Sequence, residues 1–156
     1  MAPPLLWADL SSFVDKCKQL CEAPKAKSGL LQFVQWLKQR LGRLMVNGIS
    51  PNGQPYAPLS PVTIALTPDR LGGPLINTGA MLESVDRDGP GHIEAVTADS
   101  AVLGTGHEKD GKPIAAWHQE GTRRMPARPF IGYDEHSIDW VMELVANDIL
   151  DQISKF

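Results

Sequence analysis

Eleven prolines and glycines interrupt the stretch from Gly48 to Gly79: Gly48, Pro51, Gly53, Pro55, Pro58, Pro61, Pro68, Gly72, Gly73, Pro74 and Gly79. Proline fixes φ and lacks a backbone donor, and glycine weakens any regular element, so no long helix or central strand can run through this segment. The chain must therefore place its regular elements on either side of an extended loop or arm, residues 48–79. Loops of this length in compact domains are more often functional or ordered by a partner than idle.

Upstream, Trp7, Leu10, Val14, Cys17 and Cys21 recur at steps of three and four, which predicts a helix over about residues 5 to 22. After Pro24 and the polar Lys25 to Ser28, the spacing of Leu30, Val34, Leu37, Leu41 and Leu44 predicts a second helix ending near Asn47-Gly48. The two read as a helical hairpin over residues 1–47. Within the loop, Ser60-Pro61 can start a helical turn reaching Leu66. Asn77 or Thr78 can cap a short helix over Gly79 to Val85.

Residues 80–133 read as a β-rich core, with His92–Thr97 and Ala101–Gly104 as a hairpin around Ala98-Asp99-Ser100. A polar loop from Thr105 to Pro113 leads into a helical turn, Ile114 to Gln119, stopped by Gly121, and then an extended piece, Arg128 to Tyr133. In residues 134–156, Ile138, Val141, Val145, Ile149 and Ile153 predict an amphipathic C-terminal helix opened by Asp134 and Glu135. The expected class is α+β: an N-terminal helical hairpin, a small antiparallel sheet with a long Pro/Gly-rich loop, and a C-terminal helix.

At 156 residues, with 42% hydrophobic and 21% charged residues, the chain is sized for a single domain, 1–156, and excludes a disordered polyelectrolyte or a collagen-like chain. Its net charge of -3 disfavours general nucleic-acid binding. The charge is uneven: residues 1–50 carry seven bases against three acids, residues 51–133 seven against nine, and residues 134–156 one against six. Such asymmetry suits head-to-tail contacts between copies, and equally suits solvated helix faces. The first residues lack the basic start and long apolar run of an export signal, and no run of ~18 apolar residues offers a membrane span, so a soluble protein made in a cytoplasm is expected.

Bond-making chemistry finds little support in the residue pattern. Cys17 and Cys21 offer two thiolates without a second Cys/His pair to close a zinc site, so no metal or other cofactor is expected. His92, His107, His118 and His136 are scattered. His118 beside Trp117 could serve a small hydrolase as general base with a carboxylate, or be structural. Asp69, Glu83, Asp86 and Asp88 could pair as catalytic carboxylates or be solvated charges. Arg123, Arg124 and Arg128, followed by Phe130, could hold phosphate or carboxylate through forked guanidinium groups. In an acidic protein they read as partners for another chain's acidic face, the C-terminal helix of a neighbouring copy being one candidate.

Three segments, in order, resemble a known family: Gly48 to Ser60 (GISPNGQPYAPLS), Leu75 to Val85 (LINTGAMLESV), and Ala115 to Gly121 with Met125 to Gly132 (AAWHQEG, MPARPFIG). The chain from about residue 30 resembles the virion morphogenesis, or tail completion, family of tailed bacteriophages. Pro126-Ala127-Arg128-Pro129-Phe130 is the most specific part. The chain departs at Tyr56, where the family usually has Trp, at Glu120, where it usually has an aromatic residue, and in the polar insertion Glu108 to Lys112.

The resemblance implies a non-enzymatic structural protein of the head–tail neck, synthesised in the host bacterial cytoplasm and resident in the virion. It would form a ring of six copies that completes or caps the tail so that the head can dock. Its partners would be itself, the tail terminator and tail tube, and head-side connector proteins, with non-specific contact to passing genomic DNA through Arg123 and Arg124 as a further possibility and no membrane. Proline-braced arms lose little entropy on ordering, and aromatic residues and arginine dominate interface energetics. The expected contact residues are therefore Tyr56, Pro58, Leu59, Trp117, His118, Arg123, Arg124, Arg128, Pro129 and Phe130, with core filling as the competing role for Tyr56, Trp117 and Phe130.

Overall fold

The computed structural model describes Asp15 and residues 25–155. The first expected helix, and with it half of the expected hairpin, lies outside the described residues apart from Asp15. The fold is α+β. Its elements are α1 (Lys27–Asn47), α2 (Pro61–Leu66), α3 (Ala80–Asp86), β1 (His92–Val96), β2 (Ala101–Thr105), α4 (Ile114–Glu120) and α5 (Glu135–Ser154). No described helix is long and apolar enough to cross a membrane.

Helix α1 buries Leu30, Val34 and Leu41 and half-buries Leu37 and Leu44, as its periodicity predicts. Gly48 closes it in the left-handed region at φ 72°, where its N–H reaches the carbonyls of Leu44 and Met45. The helix begins at Lys27, inside the segment expected to break it. Its first turn is capped from the far end of the chain, because Gly29 N–H donates to Asp148 Oδ2 at 2.7 Å, putting a carboxylate at the positive helix end. A Cβ on Gly29 would lie 2.7 Å from the Leu144 carbonyl oxygen, and one on Gly42 2.8 Å from Asp86 Cβ. These two glycines let α1 approach α5 and α3 closely.

Helix α5 opens with a capping box: Asp134 Oδ1 accepts from Ser137 N–H at 2.9 Å, and the Ser137 hydroxyl accepts in return from Asp134 N–H. The hydrogen bonds from Ser137, and Arg40 beside it, hold the Asp134 carboxyl below its ordinary range. The buried face is rotated from the expected stripe. Ser137 and Leu144 are buried, whereas Ile138 and Ile153 are 46% and 51% exposed. The rotation follows α1, which offers α5 a ring cluster: Trp36 lies 5.8 Å from Phe33, 5.9 Å from His136 and 6.5 Å from Trp140 between centroids. Arg40 lies over Trp36 and pairs with Asp134.

The main core gathers Leu41, Met45, Tyr56, Leu75, Met81, Val85, Ala115 and Phe130. Residues 80–133 are thus not a β-rich core. Their strands are one antiparallel pair, registered from His92 opposite Thr105 to Val96 opposite Ala101, and from it only Leu103 packs on this cluster, half-buried. The short strands leave one face outward, so core volume is supplied instead by helices and loops. The proline-rich segment folds back on its own chain. Ile49 bridges Pro55, Tyr56 N–H donates to Gly48 O at 2.8 Å, and Ser60 caps α2 with Pro61 at its first position, as the residue order predicts. Gly79, left-handed at φ 89°, occupies the cap position of α3, and the Thr78 hydroxyl accepts from the first helical N–H, that of Ala80, at 3.5 Å.

Candidate functional site

The three segments that carry the resemblance converge on one groove of about 660 Å³. Pro58, Leu59 and Ser60 come from the first, Leu75 and Asn77 to Met81 in part from the second, and His118, Met125, Pro126 and Arg128 from the third. Helix α2 adds Thr63, and the following turn Thr67 and Arg70.

Local chemistry explains the convergence. The Gln119 side chain substitutes for a missing strand: its Oε1 accepts from the N–H groups of Phe130 and Ile131, each at 3.1 Å, and its Nε2 donates to Ile131 O at 2.8 Å. Arg128 N–H donates to His118 O at 2.7 Å, stitching the extended piece to α4. The Arg128 guanidinium then reaches across the chain, Nε donating to Ala57 O at 2.7 Å and Nη2 to Pro58 O at 2.8 Å. It is a forked brace for the proline loop.

These contacts assign the expected site residues different places. Pro58, Leu59, His118, Arg124 and Arg128 line the groove. Tyr56 and Phe130 sit in the chain's own core, 8% and 1% exposed, so neither is an arm tip; burying an aromatic ring inside the subunit removes it from any partner. Burial also pushes the Tyr56 hydroxyl up to about 12. Arg128 is likewise buried and spends its donors on carbonyls of its own chain. Pro129 is half-buried beside it. Arg123 and Arg124 are exposed, and Trp117 is exposed on α4 outside the residues lining the groove.

The groove is cationic. Arg70, Lys109, Arg124 and Arg128 line it with His107 and His118, and among the described residues no Asp or Glu lines it. Arg70 Nη2 donates to the carbonyls of Gly73 and Pro74 at 2.7 and 3.1 Å, while its Nε and His118 Nδ1 are shut from solvent without a hydrogen-bond partner. Burial, then the charges of Arg128 and Arg70, depress His118 to about 4. Burial and then Arg70 lower Arg128 as well. Among the described residues lining the groove, the groups around His118 are guanidinium groups and not carboxylates.

A second polar cluster gathers around Lys38 of α1. Asp88, His92 and Glu94 each offer one ligand atom within 4.8 Å of the others. Lys38, 6% exposed, already supplies the cation: its Nζ lies 2.9 Å from Asp88 and 2.8 Å from Glu94. Burial pulls the Lys38 ammonium down, but the hydrogen bonds with Glu94 and Asp88 outweigh it and hold it above 10.5. The same hydrogen bonds keep Glu94 and Asp88 below their ordinary ranges. Lys38 is therefore a paired structural cation within this network.

Arg70, Lys109 and the Lys38 network escape motif reading. Arg70 had one signal: it is the single base between Gly48 and Asp86. Comparison with family models, curated proteins and solved structures finds no match.

Proposed function

We propose that this chain is a structural subunit of the head–tail neck of a tailed bacteriophage, a virion protein that assembles as a ring with copies of itself and completes the tail for head docking. The observation that carries the reading is the convergence of the three family-like segments on a single groove. Their residues do two jobs there. Gln119, Phe130 and Arg128 hold the loops in place, and Pro58, Leu59, Arg124 and Met125 present an open, apolar-walled cationic surface. Such a surface suits an acidic protein partner, since arginine and apolar anchors favour interface cores. Its partners are sibling subunits, the tail terminator and tube on one side and connector proteins on the other.

A nonsense mutation in the gene, in a phage that encodes this chain, tests the reading. Full heads and finished tails should accumulate unjoined, and purified protein added to the extract should restore infectious particles. Particles that mature normally without the chain would overturn it.

A further inference from the structure

Helix α5 has an outward face that its partner α1 leaves bare. Ile138, Met142, Leu150 and Ile153 are 46%, 64%, 61% and 51% exposed there, at steps of three, four and eight residues that return to the same side of a helix. Glu135, Asp139 and Glu143, also exposed, run among them at steps of four. The face thus combines an apolar row with a row of acids, and the only base of residues 134–156 is Lys155 at the end of the helix.

The groove region has the reverse character. Thr63 and Thr67 line it, while α2 exposes Val62 and Leu66, four residues apart on one side, at 68% and 76%, and Ile64 at 56%; exposed Asp69 and Leu71, the latter at 74%, follow in the chain. Exposed Lys109 and Arg124 line the same groove as Thr63 and Thr67. Scattered exposed apolar residues are ordinary; an acidic apolar helix face and a groove whose described lining carries cations without a carboxylate are complementary in charge.

Neither face pairs well with its own copy, because a two-fold contact would set acid against acid or cation against cation. Pairing one face with the other covers both apolar rows and matches both charges. We infer that the outward face of α5 on one copy docks against the α2 ridge and cationic groove rim of the next, giving a head-to-tail contact. Contacts of this type close into a ring when the rotation permits. The inference rests on the proposed ring and names the surfaces that build it.

Two variants of the full chain test it by sedimentation velocity at low salt. One carries Met142→Asp and Leu150→Asp on α5; the other carries Val62→Asp and Leu66→Asp on α2. Wild type should associate with rising concentration, and less so at high salt. Each variant alone should stay monomeric, its self-association Kd raised at least about tenfold. An equimolar mixture should form a 1:1 dimer and stop, because it retains one intact pair of faces and no more. Thermal unfolding of each variant checks that it folds. Should a variant prove unfolded, the milder exchange Asp139→Arg with Arg124→Glu replaces it: each alone weakens association and the double variant recovers it.

A monomeric wild type, association of either variant at wild-type strength, or a mixture that stays monomeric would overturn the inference. So would α5 substitutions that lower thermal stability but spare association, since the face would then be covered by the chain's own residues. Variants that still enter neck rings undiminished would remove this contact and leave the neck reading standing. Normal particles without the chain would remove the neck reading whatever the variants do.

Discussion

Lys38 and Arg128 are both buried cations, and the chain treats them in opposite ways. Lys38 faces two carboxylates, Asp88 and Glu94, that neutralise it within the subunit. Arg128 faces carbonyl oxygens and another guanidinium, Arg70, so its charge is hydrogen-bonded but not cancelled. The difference separates structure from recognition. The two carboxylates cancel the Lys38 charge, whereas a carbonyl-held arginine leaves a positive potential at the groove.

The largest expected effect breaks the compensated side. Lys38→Met strands Glu94 in a half-buried site and should cost about 3 kcal/mol of stability by chemical denaturation, with Lys38→Met and Glu94→Leu together recovering most of it. A loss under about 1 kcal/mol would show that the network behaves as a surface ion pair, and the contrast with Arg128 would collapse.

The next effect reads the uncompensated side through pH. His118 is depressed from 6.5 to about 4, so the unfolded chain binds more protons between those values. Its contribution to stability is complete above 6.5 and is lost as pH falls towards about 4, at a slope near 1.4 kcal/mol per pH unit and roughly 3 kcal/mol in all. Urea titrations of wild type and His118→Asn should diverge in that window and run parallel above it. Parallel curves throughout would mean that burial and the guanidinium charges do not depress His118. The depressed Glu94 and Asp134 add their own losses at lower pH, as each is protonated below its ordinary range.

The smallest effect belongs to the groove rim. Arg124 is exposed, so Arg124→Ala should change stability by no more than about 0.5 kcal/mol in the same urea assay. A larger loss would move Arg124 from recognition to scaffolding and narrow the comparison to Arg70 and Lys109.

Reading the residues in order was most successful where a signal was local. The stop at Gly48, the start at Ser60-Pro61, the hairpin around Asp99 and the cap at Asp134 each depend on a few adjacent residues. It fell short where the answer lay far along the chain. The Arg128 motif reads as a contact residue because its partners, the carbonyls of Ala57 and Pro58, are 71 and 70 residues away. The α5 stripe was rotated because Trp36 and Gly29 of α1 decide which side of α5 is buried. Arg70 carried no motif at all, and only the fold brings it beside Arg128.

What the amino-acid order determined by itself is the succession of helices, loop and hairpin, since periodicity, proline and capping residues act within a turn or two of the backbone. The tertiary structure alone decided which cations are cancelled, which aromatic rings are interior and which helix face is left bare. Those outcomes depend on distances between residues remote in sequence, and Coulomb energy and burial are set by distance in space.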